Sequence, residues 1–220
     1  MAATARGDAP KTLQTIAYIS IPDSTDLEFL LWDLQDAIAA YARLSGTALP
    51  RPVDTDAAQT AEPADGIVLA VDNELDGSEW AAVAQALEHF GCAGTRVYAV
   101  VQASIEGAGR AHEIIERLSK ACEHRGLVWC GGVAICAGKG IAALRHSPRM
   151  GLLRRPFSEA MDKLVGAVRM GCSIEHAQRL GGGDAGGVMA DGMVYAEPSL
   201  PTPIWRAATK CLDACAQSNN

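Results

Sequence analysis

The chain has 220 residues, 49% of them hydrophobic and 20% charged, with a formal net charge of -7. That length suits one well-buried domain, and the acidic balance excludes a general nucleic-acid binder or a protein held to an anionic membrane surface. No apolar run approaches the roughly 20 residues of a membrane span, and the opening residues lack an apolar signal core, so a cytoplasmic protein is expected.

Residues 1–11 read as a mobile leader ahead of a single domain over residues 12–220. Residues 12–21 (TLQTIAYISI) form an expected first strand that runs into Pro22. Thr25 with Glu28 makes a capping box, and Leu27, Leu30, Leu31, Leu34, Ile38 and Tyr41 form the apolar stripe of the helix it starts. Residues 49–64 are rich in Pro, Asp and Ala, which predicts irregular chain with at most a short edge strand near Pro52 and Val53. A buried strand over residues 66–71 (GIVLAV) ends at Asp72, Asn73 and Glu74. Asp76 and Glu79 cap the next helix, whose stripe is Trp80, Val83, Ala84, Leu87 and Phe90.

Residues 95–136 state their structure most plainly. The run RVYAVVQ (residues 96–102) is a buried strand; Ala111, Ile114, Ile115, Leu118 and Cys122 then recur at helical spacing within residues 107–125. Acidic residues lie early in that helix and Lys120, His124 and Arg125 late, as the helix dipole prefers, and Gly126 offers the left-handed turn that ends it. LVWCGGVAIC (residues 127–136) is the second buried strand. Strand, amphipathic helix and strand of continuous apolar character make a parallel crossover, which requires helices on both faces of the sheet.

Residues 137–155 are a connection that concentrates Lys139, Arg145, His146, Arg149, Arg154 and Arg155. It reads either as a solvated connection or, in part, as a site for the phosphates of a nicotinamide cofactor or for an anionic substrate. Pro156 stands in the first turn of a helix with stripe Phe157, Met161, Leu164 and Val168, stopped by Gly171. Ser173 caps a short helix to Leu180, residues 181–187 (GGGDAGG) form a flexible loop, and a last helix begins near Ile204. The seven cysteines are Cys92, Cys122, Cys130, Cys136, Cys172, Cys211 and Cys215; they fall mostly in apolar periodic segments, so reduced thiols are expected rather than a disulfide framework. Cys211 and Cys215 lack further ligands at metal spacing. The segment GAGRAH at Gly107 lacks the third glycine of a dinucleotide fingerprint, and Gly138-Lys139-Gly140 lacks the spacing and the Ser or Thr of a phosphate loop.

The alternation predicts an α/β fold: three layers, doubly wound and flavodoxin-like, with about five parallel strands and helices on both faces. The segments DGIVLAVDNELDGSEW, VYAVVQASIEGAGRAHEIIERLSKACEHRGLVWCGGVAI and EPSLPTPIWRAA carry a resemblance to the flavodoxin-like NAD(P)H-dependent FMN reductase family. The resemblance implies a flavoprotein oxidoreductase that passes hydride from NAD(P)H to FMN and on to a small-molecule electron acceptor, commonly as a homodimer. By position it implies a phosphate loop at Ser20, Ser24 and Thr25. The ring loops would fall at Asp72, Asn73 and Glu74 and at Ser104, Ile105, Glu106 and Gly107. Two departures accompany it: Asp23 and Asp26 stand beside the phosphate position, and the ring loops offer no aromatic to stack on a flavin. They raise an alternative, a flavodoxin-like scaffold that has lost flavin binding and serves as a binding or regulatory protein.

Overall fold

In the computed structural model, which describes residues 9–54, 62–182 and 192–218, six strands pair in parallel: β1 (Thr15–Ile21), β2 (Arg51–Pro52), β3 (Gly66–Asp72), β4 (Arg96–Gln102), β5 (Val128–Ile135) and β6 (Met193–Ala196). Their order across the sheet is β2-β1-β3-β4-β5-β6. The first five follow the flavodoxin-like 2-1-3-4-5 winding, and β6 adds a sixth strand where about five were expected. Sequence pattern gives little warning of β6, because four residues are too few to show a period; its register against Gly132–Ile135 of β5 makes it a strand.

Side chains alternate between two cores, as the pleat of a strand requires. Ile16, Val68, Ala70, Tyr98, Val100, Val133 and Ile135 face α1 (Thr25–Ser45), α4 (Arg155–Met170), α5 (Ile174–Leu180) and α6 (Thr202–Ser218). Ala17, Ile67, Leu69, Val71, Val97, Ala99, Val101 and Ala134 face α2 (Gly77–Phe90) and α3 (Ala108–His124). The result is the expected three-layer, doubly wound fold. No helix among the described residues is long and apolar enough to cross a membrane.

Particular residues explain the joins. The register of β4 against β5 shifts at Val97/Tyr98, opposite Trp129 and Gly131. Gly131 takes φ +113° and a Cβ there would stand 2.6 Å from the Gly192 carbonyl oxygen, so this position needs glycine, while Gly132 packs against the tip of Ile115. Tyr98, fully buried, donates its hydroxyl toward the carbonyls of Ala167 and Cys172, both at 3.2 Å, and ties the sheet to the end of α4. Trp205 donates Nε1–H to the Ala137 carbonyl at 2.8 Å and packs on Phe157, which seats α6 against the end of β5.

Several expectations are corrected. β1 begins at Thr15 rather than at residue 12, because the amides of Gln14 and Thr15 turn to the Asp65 carboxylate, at 2.9 and 3.3 Å. The cap of α1 is Ser24, whose Oγ accepts from the Leu27 amide, so no Thr25–Glu28 capping box forms. The box at Asp76 and Glu79 does form. Tyr41 leaves the apolar stripe of α1 and lies 40% exposed with the Arg169 guanidinium over its ring. Lys11, at the end of the expected leader, is tied down by Asp65 at 2.9 Å and by its amide to the Met170 carbonyl. Residues 1–8 of that leader, residues 183–187 of the expected glycine loop and the Cys215 side chain lie outside the described residues.

Four residues of the basic connection, Lys139, Arg145, His146 and Arg155, are exposed as a solvated surface would be, whereas Arg154 and Arg149 turn inward. Arg154, 5% exposed, pairs with buried Asp33 on α1 and also donates to the Ser147 and Arg145 carbonyls at 2.9 and 3.2 Å. Arg149 bridges Asp33 to Asp162, Arg145 lies over Trp32, and Arg155 pairs with Glu159 along α4. Four of the six basic residues therefore hold α1, α4 and the connecting 3₁₀ turn (Ile141–His146) to one another or to themselves.

Candidate functional site

In a doubly wound sheet the ligand crevice lies outside the carboxyl ends of the strands, where the winding reverses. Here it reverses between β1 and β3. The loops at that end bring together Asp72, Asn73 and Glu74 after β3, Gln102, Ala103 and Ser104 at the end of β4, and Gly138 and Lys139 after β5. Of the expected site residues, Asp72, Asn73, Glu74 and Ser104 line this cleft; Ser20, Ser24, Thr25, Ile105, Glu106 and Gly107 do not.

The β3 and β4 loops are packed on each other. The Asn73 amide donates to the Gln102 carbonyl at 2.9 Å, and Asn73 is 6% exposed. Gly107 lies so close that a Cβ there would meet Asn73 Nδ2 and Ser104 Oγ, each at 2.7 Å. Asp72 Oδ1 accepts from the Glu74 amide and fixes the turn that follows β3. Ile105 turns inward and packs on the core shared with α1 and α4, which takes it away from any ligand.

Asp26, in the first turn of α1, completes the arrangement. Its Oδ2 accepts from Gln102 Nε2 at 2.9 Å and from the Gly140 amide at 2.8 Å, and its Oδ1 accepts from the Ala142 amide at 2.8 Å. Gln102 is 3% exposed and also donates to the Gly138 carbonyl at 3.2 Å. One carboxylate thus crosses the strand ends and gathers donors from β4 and from the segment after β5. Such charge-assisted bonds are roughly twice as strong as neutral ones.

The cleft these residues line is small for a flavin mononucleotide. The cleft holds about 70 Å³, whereas sites for drug-sized ligands run from about 300 Å³ upward. The Ser24 Oγ accepts from the Leu27 amide as the helix cap, and the Asp26 carboxylate is bonded to Gln102 Nε2 and to the amides of Gly140 and Ala142. Each solvated carboxylate about 4 Å from a phosphate would also repel it by ~1 kcal/mol per unit charge. Among the described residues no group of three His, Cys, Asp or Glu side chains could hold a metal ion.

Comparison of the chain with protein-family models, with curated proteins and with solved structures returns no match.

Two parts of the site were not singled out from sequence. Gly138 fails as part of a phosphate loop and Lys139 stands out only as one of the basic segment, yet both wall the cleft. Asp26 had been noted only as a charge that would repel a phosphate. An acid in the first turn of a helix ahead of a Gly-Lys-Gly segment is the one sequence signal for the contact, and it does not specify the pairing.

Proposed function

We propose that this protein is a flavodoxin-like scaffold that works without flavin, as a binding or regulatory protein of the cytoplasm. The observation that carries this reading is the Asp26 carboxylate, whose two oxygens already satisfy Gln102 Nε2 and the amides of Gly140 and Ala142. A small strand-end cleft, about 70 Å³, is what would remain if the fold were kept and its usual ligand were not. The absence of an aromatic from both expected ring loops agrees with it.

The test is the visible spectrum of the purified protein followed by titration with FMN at low salt. A colourless protein that leaves FMN fluorescence unchanged is expected. A yellow preparation, or saturable quenching of added FMN, would overturn the reading. It would favour instead the FMN reductase reading, with NAD(P)H as donor, a small-molecule acceptor and a homodimer, which draws its support from the strand order and the three resembling segments.

A further inference from the structure

We infer that the strand-end cleft binds the charged head group of a small α-amino acid. This rests on the proposed binding function and names the ligand class for that same cleft. Two carboxamides are buried beside the cleft with hydrogen-bonding capacity unspent, and its walls carry charges of both signs.

Gln102 and Asn73 line the cleft and are 3% and 6% exposed. The Gln102 side chain meets two acceptors, the Asp26 carboxylate and the Gly138 carbonyl, so its NH₂ group must lie on that side and Oε1 is the end left over. Among the described residues nothing donates to that oxygen. Asn73 is tied by its backbone amide to the Gln102 carbonyl, while its side chain makes no hydrogen bond among the described residues. Neither carboxamide is sealed from solvent. Polar groups set this deep are ordinarily paired within the protein, and a few unspent ones converging on a cleft are what fixes a polar ligand.

Asp72 and Glu74 stand on the loop after β3, and Lys139 on the segment after β5. One Asp72 oxygen holds the Glu74 amide. The Glu74 and Lys139 side chains are exposed and form no ion pair or hydrogen bond among the described residues. Because β4 runs between β3 and β5, the two charged walls start about 10 Å apart. A simple anion there would gain Lys139 and face two carboxylates, and a simple cation would face Lys139; a zwitterion gains from both walls. Its ammonium has donors for Gln102 Oε1 and Glu74, and its carboxylate accepts from Lys139 and Ser104. The Asn73 carboxamide, donor and acceptor at once, serves either end. At about 70 Å³, against roughly 30 Å³ for a water in the liquid, the cleft suits glycine, alanine or serine rather than a bulky side chain.

The experiment titrates isotope-labelled protein with glycine and L-alanine and follows the side-chain NH₂ resonances of Asn73 and Gln102 by nuclear magnetic resonance. Acetate and methylamine, which carry one charge each, are the controls. Saturable shifts with the amino acids are expected, with affinity at least about tenfold lower for either control. Glu74→Gln and Lys139→Ala should each weaken alanine binding about fivefold, and Asn73→Ala about tenfold. If Asn73→Ala folds poorly, the two exposed variants decide.

The inference is overturned by the absence of a saturable shift with either amino acid, by acetate or methylamine binding as tightly as alanine, or by unchanged affinity in either exposed variant. Uptake of FMN would remove the flavin-free reading whether or not alanine binds. A protein that ignores both FMN and the amino acids would remove only the ligand class inferred here.

Discussion

Arg154 and Arg155 are neighbours in sequence with opposite consequences for stability, and replacing each separately measures the difference. Arg154 is 5% exposed; it pairs with Asp33, which is 3% exposed, and donates to carbonyls of the 3₁₀ turn and its exit, while its guanidinium lies 5.2 Å from the Phe29 ring. Arg154→Met keeps the apolar stem over Phe29 and removes the charge. Removing one partner of a buried ion pair costs about 3–5 kcal/mol, and Arg149 still reaches Asp33, which places the loss near the lower end. At about 3 kcal/mol per molar urea for a chain of this size, the unfolding midpoint should fall by about 1 M with an unchanged slope. Arg155→Ala breaks only an exposed pair within one helix and should leave the midpoint within error of wild type. If Arg154→Met unfolds at the wild-type midpoint, or if Arg155→Ala is the damaging change, the basic segment does not hold α1 to α4 as described.

Two further outcomes follow from titrating groups. Burial alone would raise the Asp65 carboxyl, but Lys11 and the amides of Gln14 and Thr15 outweigh it and hold the group below its ordinary value of 3.8. A depressed folded value means that the unfolded chain takes the proton first, so the contribution is present above about pH 4 and lost as pH falls through the folded value. Asp65→Asn should therefore lower the melting temperature at neutral pH and lower it progressively less in acid; a difference independent of pH would refute this. Burial pushes the Cys122 thiol up to about 12 and the Cys136 thiol up to about 11, while Cys92 and Cys211 are exposed. Iodoacetamide at mildly alkaline pH should modify Cys92 and Cys211 well before Cys122 or Cys136 in peptide maps, since the thiolate is the reactive form. Equal labelling of all four would contradict the packing of α3 and β5.

What could be read from sequence was what repeats locally. The apolar runs that became β3, β4 and β5, the stripe of α3 and the Asp76–Glu79 box each depend on residues within a few positions of one another, and each formed close to its expected limits. Within the basic segment, the burial of Arg154 was illegible for the opposite reason: the acid that neutralises it is Asp33, 121 residues away. A run of arginines looks solvated until the fold supplies its partner. Asp26 is the sharpest case. Its donors lie 76, 114 and 116 residues further along the chain, so position alone marks it as an acid in the first turn of a helix, where the dipole favours it. From the sequence, that acid counts against a phosphate by repulsion, a weak and screened effect in water. In the fold its two oxygens accept from Gln102 Nε2 and from the amides of Gly140 and Ala142, so the same acid ties the end of β4 to the segment after β5.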